Sequence, residues 1–361
     1  MLWCSRDISV RISLSKSDRS FSVAPDQSVL DAALDAGLNL PHSCKGGNCG
    51  ACRARLLQGE VGYPNGRPLG LSDSEVAEGL ILLCQARAHS DLSIETFAVS
   101  TPEEALVKRL PCRIERAQRR SHDVMAVFLR LPAAERLDFQ PGQYVDIMLP
   151  GGRRRSFSIA SPPHDSRLLE LHVRRVPGGE FTEQLFAGEA QGTLLTIEGP
   201  LGHFIYRAPA QPCAGEGAPM LLIGGGTGLA PLKSILRHVI ENGVRREMIL
   251  YWGVRSERDL YAHDTLEEMA RRAANFRYAP VLSEPSPSWE GRRGWVHEAV
   301  LRDFGELEPY EVYASGPPEM VEAVRREFPL RGAAPERLSF DSFDYAPDSL
   351  ARQRMMAATK S

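Results

Sequence analysis

No stretch of about 18 consecutive apolar residues occurs in this chain, so the sequence carries no transmembrane helix by hydropathy. The longest apolar stretch, around Met220–Ile223, stops at three glycines. An excess of charge of one sign is missing too. The 43 Lys and Arg against 46 Asp and Glu leave a net charge of −3, which argues against a nucleic-acid partner held by electrostatics. The opening residues MLWCSRD pass straight into a strand pattern without the apolar core of a secretion signal. No internal repeat is visible. Paired cysteines spread as a disulfide framework are absent as well: of seven, Cys4, Cys112 and Cys213 are an odd, scattered remainder. A reducing cytoplasm is the expected location. What is present is an ordinary globular composition, 43% hydrophobic and 25% charged over 361 residues, enough for two or three domains.

The other four cysteines carry the strongest signal. Cys44, Cys49 and Cys52 stand at C-x4-C-x2-C spacing, and Cys84 follows downstream. A plant-type [2Fe–2S] cluster takes three thiolates from one tight loop and the fourth from a distant segment. Gly46, Gly47 and Gly50 let such a loop take positive φ and bring N–H groups near the sulfurs. The competing reading is a zinc knuckle, but zinc favours two C-x2-C pairs and only one is present. Ser28–Leu40 reads as a helix leading into Pro41-His42-Ser43-Cys44, Ile8–Leu14 and Phe21–Val23 as a half-buried hairpin, and Leu82–Glu95 as closing strands. Residues 1–98 therefore resemble a plant-type ferredoxin domain, which implies a β-grasp fold.

Residues 99–109 read as a linker and 110–212 as a second domain. Short β-like runs fill it: Cys112–Arg116, Val124–Leu131, Tyr144–Leu149, Phe157–Ala160, Leu168–Arg174 and Leu194–Glu198. Such spacing suggests a barrel or sandwich. Arg155-Ser156-Phe157-Ser158 resembles the R-x-[Y/F]-S signature of the ferredoxin–NADP reductase superfamily. That resemblance implies Arg155 on a flavin pyrophosphate, Phe157 beside the ring and Ser158 bonded to it. A guanidinium suits phosphate and an aromatic face suits a planar ring, although a basic strand edge with a core Phe reads the same four residues. Gly178-Gly179-Glu180-Phe181-Thr182 resembles the family turn that opens a phosphate-holding helix; a plain cap, with Thr182 bonding toward Leu185, is the alternative. Gly199-Pro200-Leu201-Gly202-His203-Phe204 matches the family's GP.G.F turn. Three motifs in family order imply FAD.

Residues 213–345 alternate strands and helices, the mark of a parallel sheet. The apolar strand Met220–Ile223 runs into Gly224-Gly225-Gly226-Thr227-Gly228-Leu229-Ala230-Pro231. This is not G-x-G-x-x-G, but it resembles the superfamily's GGGTG.AP turn, where a nicotinamide cofactor's pyrophosphate lies. Ser315-Gly316-Pro317-Pro318-Glu319-Met320 resembles C-G-P-P-x-M with Ser315 in place of Cys, which leaves nicotinamide placement intact and removes any thiol contribution. Gly253–Tyr261 is similar to the run of NADH-using members, while Arg255, Ser256 and Arg258 leave NADPH open. Phe340–Tyr345 resembles the D-x-F ending, which implies Phe343 near the flavin; a strand-edge aromatic packed on the core is the other reading. Residues 346–361 read as a fraying tail.

The expected architecture is therefore α+β multidomain: a β-grasp ferredoxin domain, an antiparallel β-barrel flavin domain and an α/β nicotinamide-binding domain. The resemblance implies a reductase moving electrons from NADH to FAD to [2Fe–2S] and on to a partner, with Ser158 and Ser315 at the hydride step. The partner is an oxygenase or hydroxylase component, as for phenol, toluene, benzoate or methane. Alternatives are the reductase paired with a dehydratase in deoxysugar synthesis and, in another class, a non-catalytic iron–sulfur redox sensor.

Overall fold

Alternating burial along Val10–Leu14 (β1) and Ser20–Val23 (β2) builds an antiparallel hairpin with Ile12 opposite Phe21. The computed structural model describes residues 10–96, 107–188, 190–208 and 217–343. It resolves into two compact units, Met1–Val107 with Leu201–His203, and Lys108–Pro200 with Phe204–Ser361. The expected linker 99–109 lies outside the described residues as far as 106, and the tail 346–361 lies outside them entirely.

In the first unit β1 also pairs in parallel with Leu92–Thr96 (β7), Ile12 against Leu92. Arg53–Gln58 (β3) and Leu80–Leu82 (β5) complete a five-stranded sheet of order β2-β1-β7-β3-β5, and Val61–Gly62 (β4) pairs with Arg87–Ala88 (β6). A mixed sheet with one crossing helix is the β-grasp plan. That helix, Val29–Asp35 (α1), buries Val29, Leu30, Ala32, Ala33 and Leu34 and is capped by Ser28, whose Oγ accepts the Asp31 N–H at 3.0 Å. It ends five residues before the expected Leu40. Gly37 takes φ +76 and donates to the Leu34 carbonyl, while Leu38 donates to Ala33, and this left-handed cap closes the helix. A short helix, Asp73–Ala77 (α2), precedes β5.

The second unit begins with six antiparallel strands: Lys108–Arg119 (β8), Val124–Arg130 (β9), Tyr144–Met148 (β10), Arg154–Ser158 (β11), Leu168–Arg174 (β12) and Leu194–Leu201 (β13). Their order is β11-β10-β13-β8-β9-β12, and a bridge from Ile159 to Leu171 joins the two ends into a barrel. Ile114, Val127, Leu129, Val145, Leu169, Leu171, Val173 and Ile197 fill its interior. Glu180–Ala187 (α3) packs Phe181 and Leu185 against that core.

A six-stranded parallel sheet follows, made of Met220–Gly225 (β14), Met248–Val254 (β15), Phe276–Leu282 (β16), Arg292–Arg293 (β17), Glu311–Gly316 (β18) and Leu338–Ser342 (β19). Leu229–Glu241 (α4) and His263–Arg272 (α5) cover the face holding Leu222, Leu250 and Trp252. Val296–Asp303 (α6) and Pro318–Glu327 (α7) cover the face holding Leu221, Ile223 and Tyr251. The order β17-β16-β15-β14-β18-β19 reverses direction beside β14. A ligand crevice is expected at the strand C-termini of such a switch point, between β14 and β18. Strands β17 and β19 were not foreseen; β17 is only two residues and β19 is a short polar-apolar run.

Candidate active site and metal centre

Cys44, Cys49, Cys52 and Cys84 converge in the first unit. The Cys44 N–H points at Cys49 Sγ (3.4 Å), the Cys49 N–H at Cys44 Sγ (3.3 Å) and the Ala51 N–H at Cys49 Sγ (3.5 Å), while Cys52 Sγ and Cys84 Sγ are 3.2 Å apart. Gly47 (φ +83) has no room for a Cβ, which would meet Gln85 Cγ and Pro68 Cβ at 2.9 Å. Gly50 is left-handed as expected, but Gly46 is not; Lys45 is, at φ +53, where its carbonyl accepts Gln85 Nε2 at 2.8 Å. The Cys44 thiol is lowered to about 6, first by the hydrogen bond from the Cys49 thiol and then, against burial, by backbone N–H groups. The side-chain hydrogen bonds shared with Cys44 and Cys52 respectively, and then burial, push Cys49 and Cys84 up. Three buried cysteines and the half-buried Cys44, with amides aimed at Cys44 and Cys49, fit an electron-rich iron–sulfide core bound through thiolates.

In the barrel, the flavin candidates lie on β11 and at the start of α3. Phe157 packs 5.8 Å from the Phe181 ring, and Arg155 Nη1 donates to the Arg154 carbonyl at 2.9 Å. Gly178 is left-handed (φ +74) and Gly179 is the N-cap of α3. Thr182 does not cap toward Leu185. Its hydroxyl accepts the Val176 N–H and lies 3.1 Å from the Val176 and Gly179 carbonyls, so it ties the turn shut. Arg153 reaches Glu180 at 2.8 Å. A helix N-terminus with arginines nearby on β11 is the kind of place that favours an anion. A Cβ at Gly199 would lie 2.9 Å from Val145 Cγ1. Beyond it, His203 N–H donates to the His42 carbonyl at 2.7 Å within the first unit.

The switch-point crevice is lined by backbone. A Cβ on Gly228 would stand 2.0 Å from the Ser315 carbonyl oxygen, and one on Gly316 would stand 2.9 Å from Gly225 Cα. Gly224, Gly225, Gly226, Thr227 and Gly228 thus run directly beside Ser315, Gly316 and Pro317, and Pro231 opens α4 behind them. Ser315 Oγ is buried without a hydrogen-bond partner. Asp341 is its Cα partner across β18–β19, and Ser158 Oγ lies 3.5 Å from Asp341 Oδ2. Phe343 is fixed next to them by its N–H on the Gly316 carbonyl, 3.0 Å. Ser158 of the barrel therefore reaches the buried carboxylate of Asp341, the residue that neighbours Ser315 in the register of the sheet. Asp344 and Tyr345 of this segment lie outside the described residues.

Comparison with known proteins matches the same three regions in the same order. Residues 12–89 match the 2Fe-2S iron-sulfur cluster binding domain, 111–206 the oxidoreductase FAD-binding domain and 222–326 the oxidoreductase NAD-binding domain. The reductase subunit of an aromatic O-demethylase from Amycolatopsis sp. is 39% identical over 328 residues, covering 90% of this chain and 96% of the relative. The chain belongs to the iron–sulfur flavoprotein reductases of the ferredoxin–NADP reductase superfamily. A CDP-6-deoxy-L-threo-D-glycero-4-hexulose-3-dehydrase reductase from Yersinia pestis is 34% identical, covering 93% of this reductase and 99% of the relative. A crystal structure of an Amycolatopsis cytochrome P450 reductase superposes with a TM-score of 0.75 at 37% identity, covering 92% of this chain and 98% of that one. The zinc alternative falls with the match of the cluster domain.

Two residues of the reductase escaped sequence reading. Arg174, at the end of β12, places Nη1 2.8 Å from where a Gly226 Cβ would stand, which brings a guanidinium to the glycine turn. Trp252 donates Nε1–H to the Gly226 carbonyl at 2.8 Å and holds that turn from beneath. For Arg174 the available signal was the polar alternation Glu170, His172, Arg174 along a strand otherwise apolar; Trp252 carried none. The Arg155 assignment is testable directly. A charge-assisted bond is worth about 1.5–3 kcal/mol, so Arg155→Ala should weaken FAD binding by about tenfold to a hundredfold. Flavin retention through dialysis, followed by absorbance, checks this, and undiminished occupancy would remove Arg155 from the site.

Proposed function

We propose that this reductase takes electron pairs from NADH at the crevice between Gly224–Gly228 and Ser315–Pro317 and delivers them singly to a partner enzyme. The observation that carries the reading is the hydrogen bond from Ser158 of the barrel to Asp341, which lies beside Ser315 in the register of the parallel sheet. Bound FAD would supply two-electron hydride chemistry, and Cys44, Cys49, Cys52 and Cys84 would hold a [2Fe–2S] cluster that supplies one-electron chemistry. The protein's part is positional. Arg155 and the Gly178–Thr182 turn hold phosphate, Phe157 supports the ring, the glycines admit the nicotinamide cofactor's pyrophosphate, and the free Ser315 hydroxyl meets its carboxamide. Phe343, fixed at Gly316 through its N–H, would stand near a bound flavin.

NADH is favoured over NADPH because Ser256 already donates Oγ–H to Asp259 Oδ2 at 2.8 Å. The carboxylate that accepts it would repel a 2′-phosphate at the end of β15. The domains run 1–98, 110–212 and 213–345, joined by a linker at 99–109. A cytoplasmic location suits the free thiolates, and among the described residues no helix is long and apolar enough to cross a membrane. The partner is an oxygenase or hydroxylase component; relatives serving an O-demethylase and a hexulose dehydrase support both this choice and the deoxysugar alternative. Anaerobically purified protein should carry about two irons per chain together with FAD, and should reduce cytochrome c with NADH at higher kcat/KM than with NADPH. Chromophores without NADH turnover would favour the redox-sensor reading.

A further inference from the structure

The barrel's edge strand β12 has one polar face, and each polar residue on it reaches a different part of the nicotinamide lobe. Leu169, Leu171 and Val173 fill the barrel, so Glu170, His172 and Arg174 share the other face. Both Glu170 carboxylate oxygens lie 2.7 Å from Lys233 Nζ on α4. Beside them the Ser234 hydroxyl donates to the Ser161 carbonyl at 2.7 Å, and Ser161 Oγ accepts the Glu170 N–H at 3.1 Å. His172 sits between two partners, Nε2 3.1 Å from Glu170 and Nδ1 2.9 Å from the Tyr261 hydroxyl. Tyr261 stands edge-on to Trp252 with centroids 5.0 Å apart, and Trp252 holds the Gly226 carbonyl.

Hydrogen-bond chemistry orders this chain. An ionised carboxylate only accepts, so Nε2 carries the His172 proton and Nδ1 accepts from the Tyr261 hydroxyl. Burial lowers the His172 pKa more than Glu170 raises it, which keeps the imidazole neutral. Burial disfavours the charge on Glu170, but the hydrogen bond from His172 and the charge of Lys233 outweigh it and hold the carboxyl well below its usual range. Glu170, His172, Tyr261 and Lys233 each have a partner in this network, and a satisfied buried polar network fixes geometry.

We propose that His172 is a positioning residue for hydride transfer: through Tyr261 and Trp252 it holds the Gly226 turn in register with the flavin barrel. The inference rests on the electron-input reading given above. His172 and Trp252 are not among the residues assigned to FAD or nicotinamide, Tyr261 only closes the run read for cofactor preference, and the Glu170–Lys233 pair ties β12 to α4, so loss of the His172–Tyr261 link leaves the lobes joined.

Asparagine and glutamine substitutions separate the two halves of the link. In His172→Asn the side-chain amide oxygen would stand near the place of Nδ1 and accept from Tyr261, whereas in His172→Gln the longer side chain reaches toward the place of Nε2 and Glu170. In the FAD-loaded full-length protein, His172→Leu, His172→Gln and Tyr261→Phe should slow flavin reduction at saturating NADH by about tenfold, the scale of one buried hydrogen bond. Affinity for NAD+ should change less, and His172→Asn should keep most of the rate. Amide hydrogen exchange at Gly226–Gly228, measured without nicotinamide cofactor, should quicken in the three slow variants and not in His172→Asn. Equal rates for the His172→Asn and His172→Leu variants, or unchanged exchange at Gly226–Gly228 in His172→Leu, would overturn the proposal. Tyr261→Phe removes one oxygen atom and decides the matter where a His172 variant does not fold. Wild-type protein that NADH fails to bleach would instead sink the electron-input reading itself.

Discussion

Gly228→Ala should abolish NADH-dependent flavin reduction while both chromophores stay bound. The added methyl would stand 2.0 Å from the Ser315 carbonyl oxygen and 2.8 Å from Gly316 Cα, and backbone has no rotamer by which to yield. The turn or β18 must move by something like an ångström. Overpacking of this kind costs about 1–3 kcal/mol in stability, and misplacing reactants by about 1 Å costs on the order of a hundredfold in rate. Gly226→Ala is the milder comparison. Its methyl meets only the end of the flexible Arg174 side chain, at 2.8 Å, and the φ of +55 is one that a non-glycine residue tolerates at a cost of about 1 kcal/mol or more. The expected order of rates is wild type, then Gly226→Ala, then Gly228→Ala. Anaerobic stopped-flow bleaching of the flavin checks it, with FAD and iron content as controls. A Gly228→Ala protein reduced at the wild-type rate would show that the crevice is not the nicotinamide site.

Cys84→Ser should cut the one-electron exit and leave the two-electron input intact. A serine hydroxyl is a poor replacement for a soft thiolate on iron, so cluster iron should be lost while FAD remains. Reduction of ferricyanide, which can draw directly on flavin, should persist with NADH, and reduction of cytochrome c should fall away. Cys112→Ser is the control. That thiol is buried in the barrel core, where burial alone pushes it up to about 12, and its loss should leave iron untouched. If Cys84→Ser keeps its cytochrome c rate, electrons bypass the cluster, and the first unit is a docking module instead.

The parts of this molecule legible in the sequence are those fixed by local rules. Cysteine spacing located the cluster loop because four thiolates must reach one centre, and β12 was bounded to the residue because its apolar run starts and stops sharply. The sequence also placed Ser158 and Ser315 in separate motifs. What it did not show is long-range. That Asp341 neighbours Ser315 and reaches Ser158 depends on β19 pairing beside β18, a register set by tertiary packing. Arg174 reaching Gly226 depends on how one lobe faces another. The short α1 is a local failure: the Gly37 cap outweighed an apolar pattern that ran on to Leu40. Thr182 is another, since a hydroxyl near a helix start reads as a cap whether it bonds forward or back.

The backward bonds of Thr182 reach no farther than Val176 and Gly179. A loop closed over so few residues forms early and loses little chain entropy when its ends meet. The turn proposed to face phosphate is thereby shaped by its own neighbours, before any ligand arrives. A flavin bound there would meet a surface already set, and the free energy of its capture would go into affinity instead of into ordering the protein.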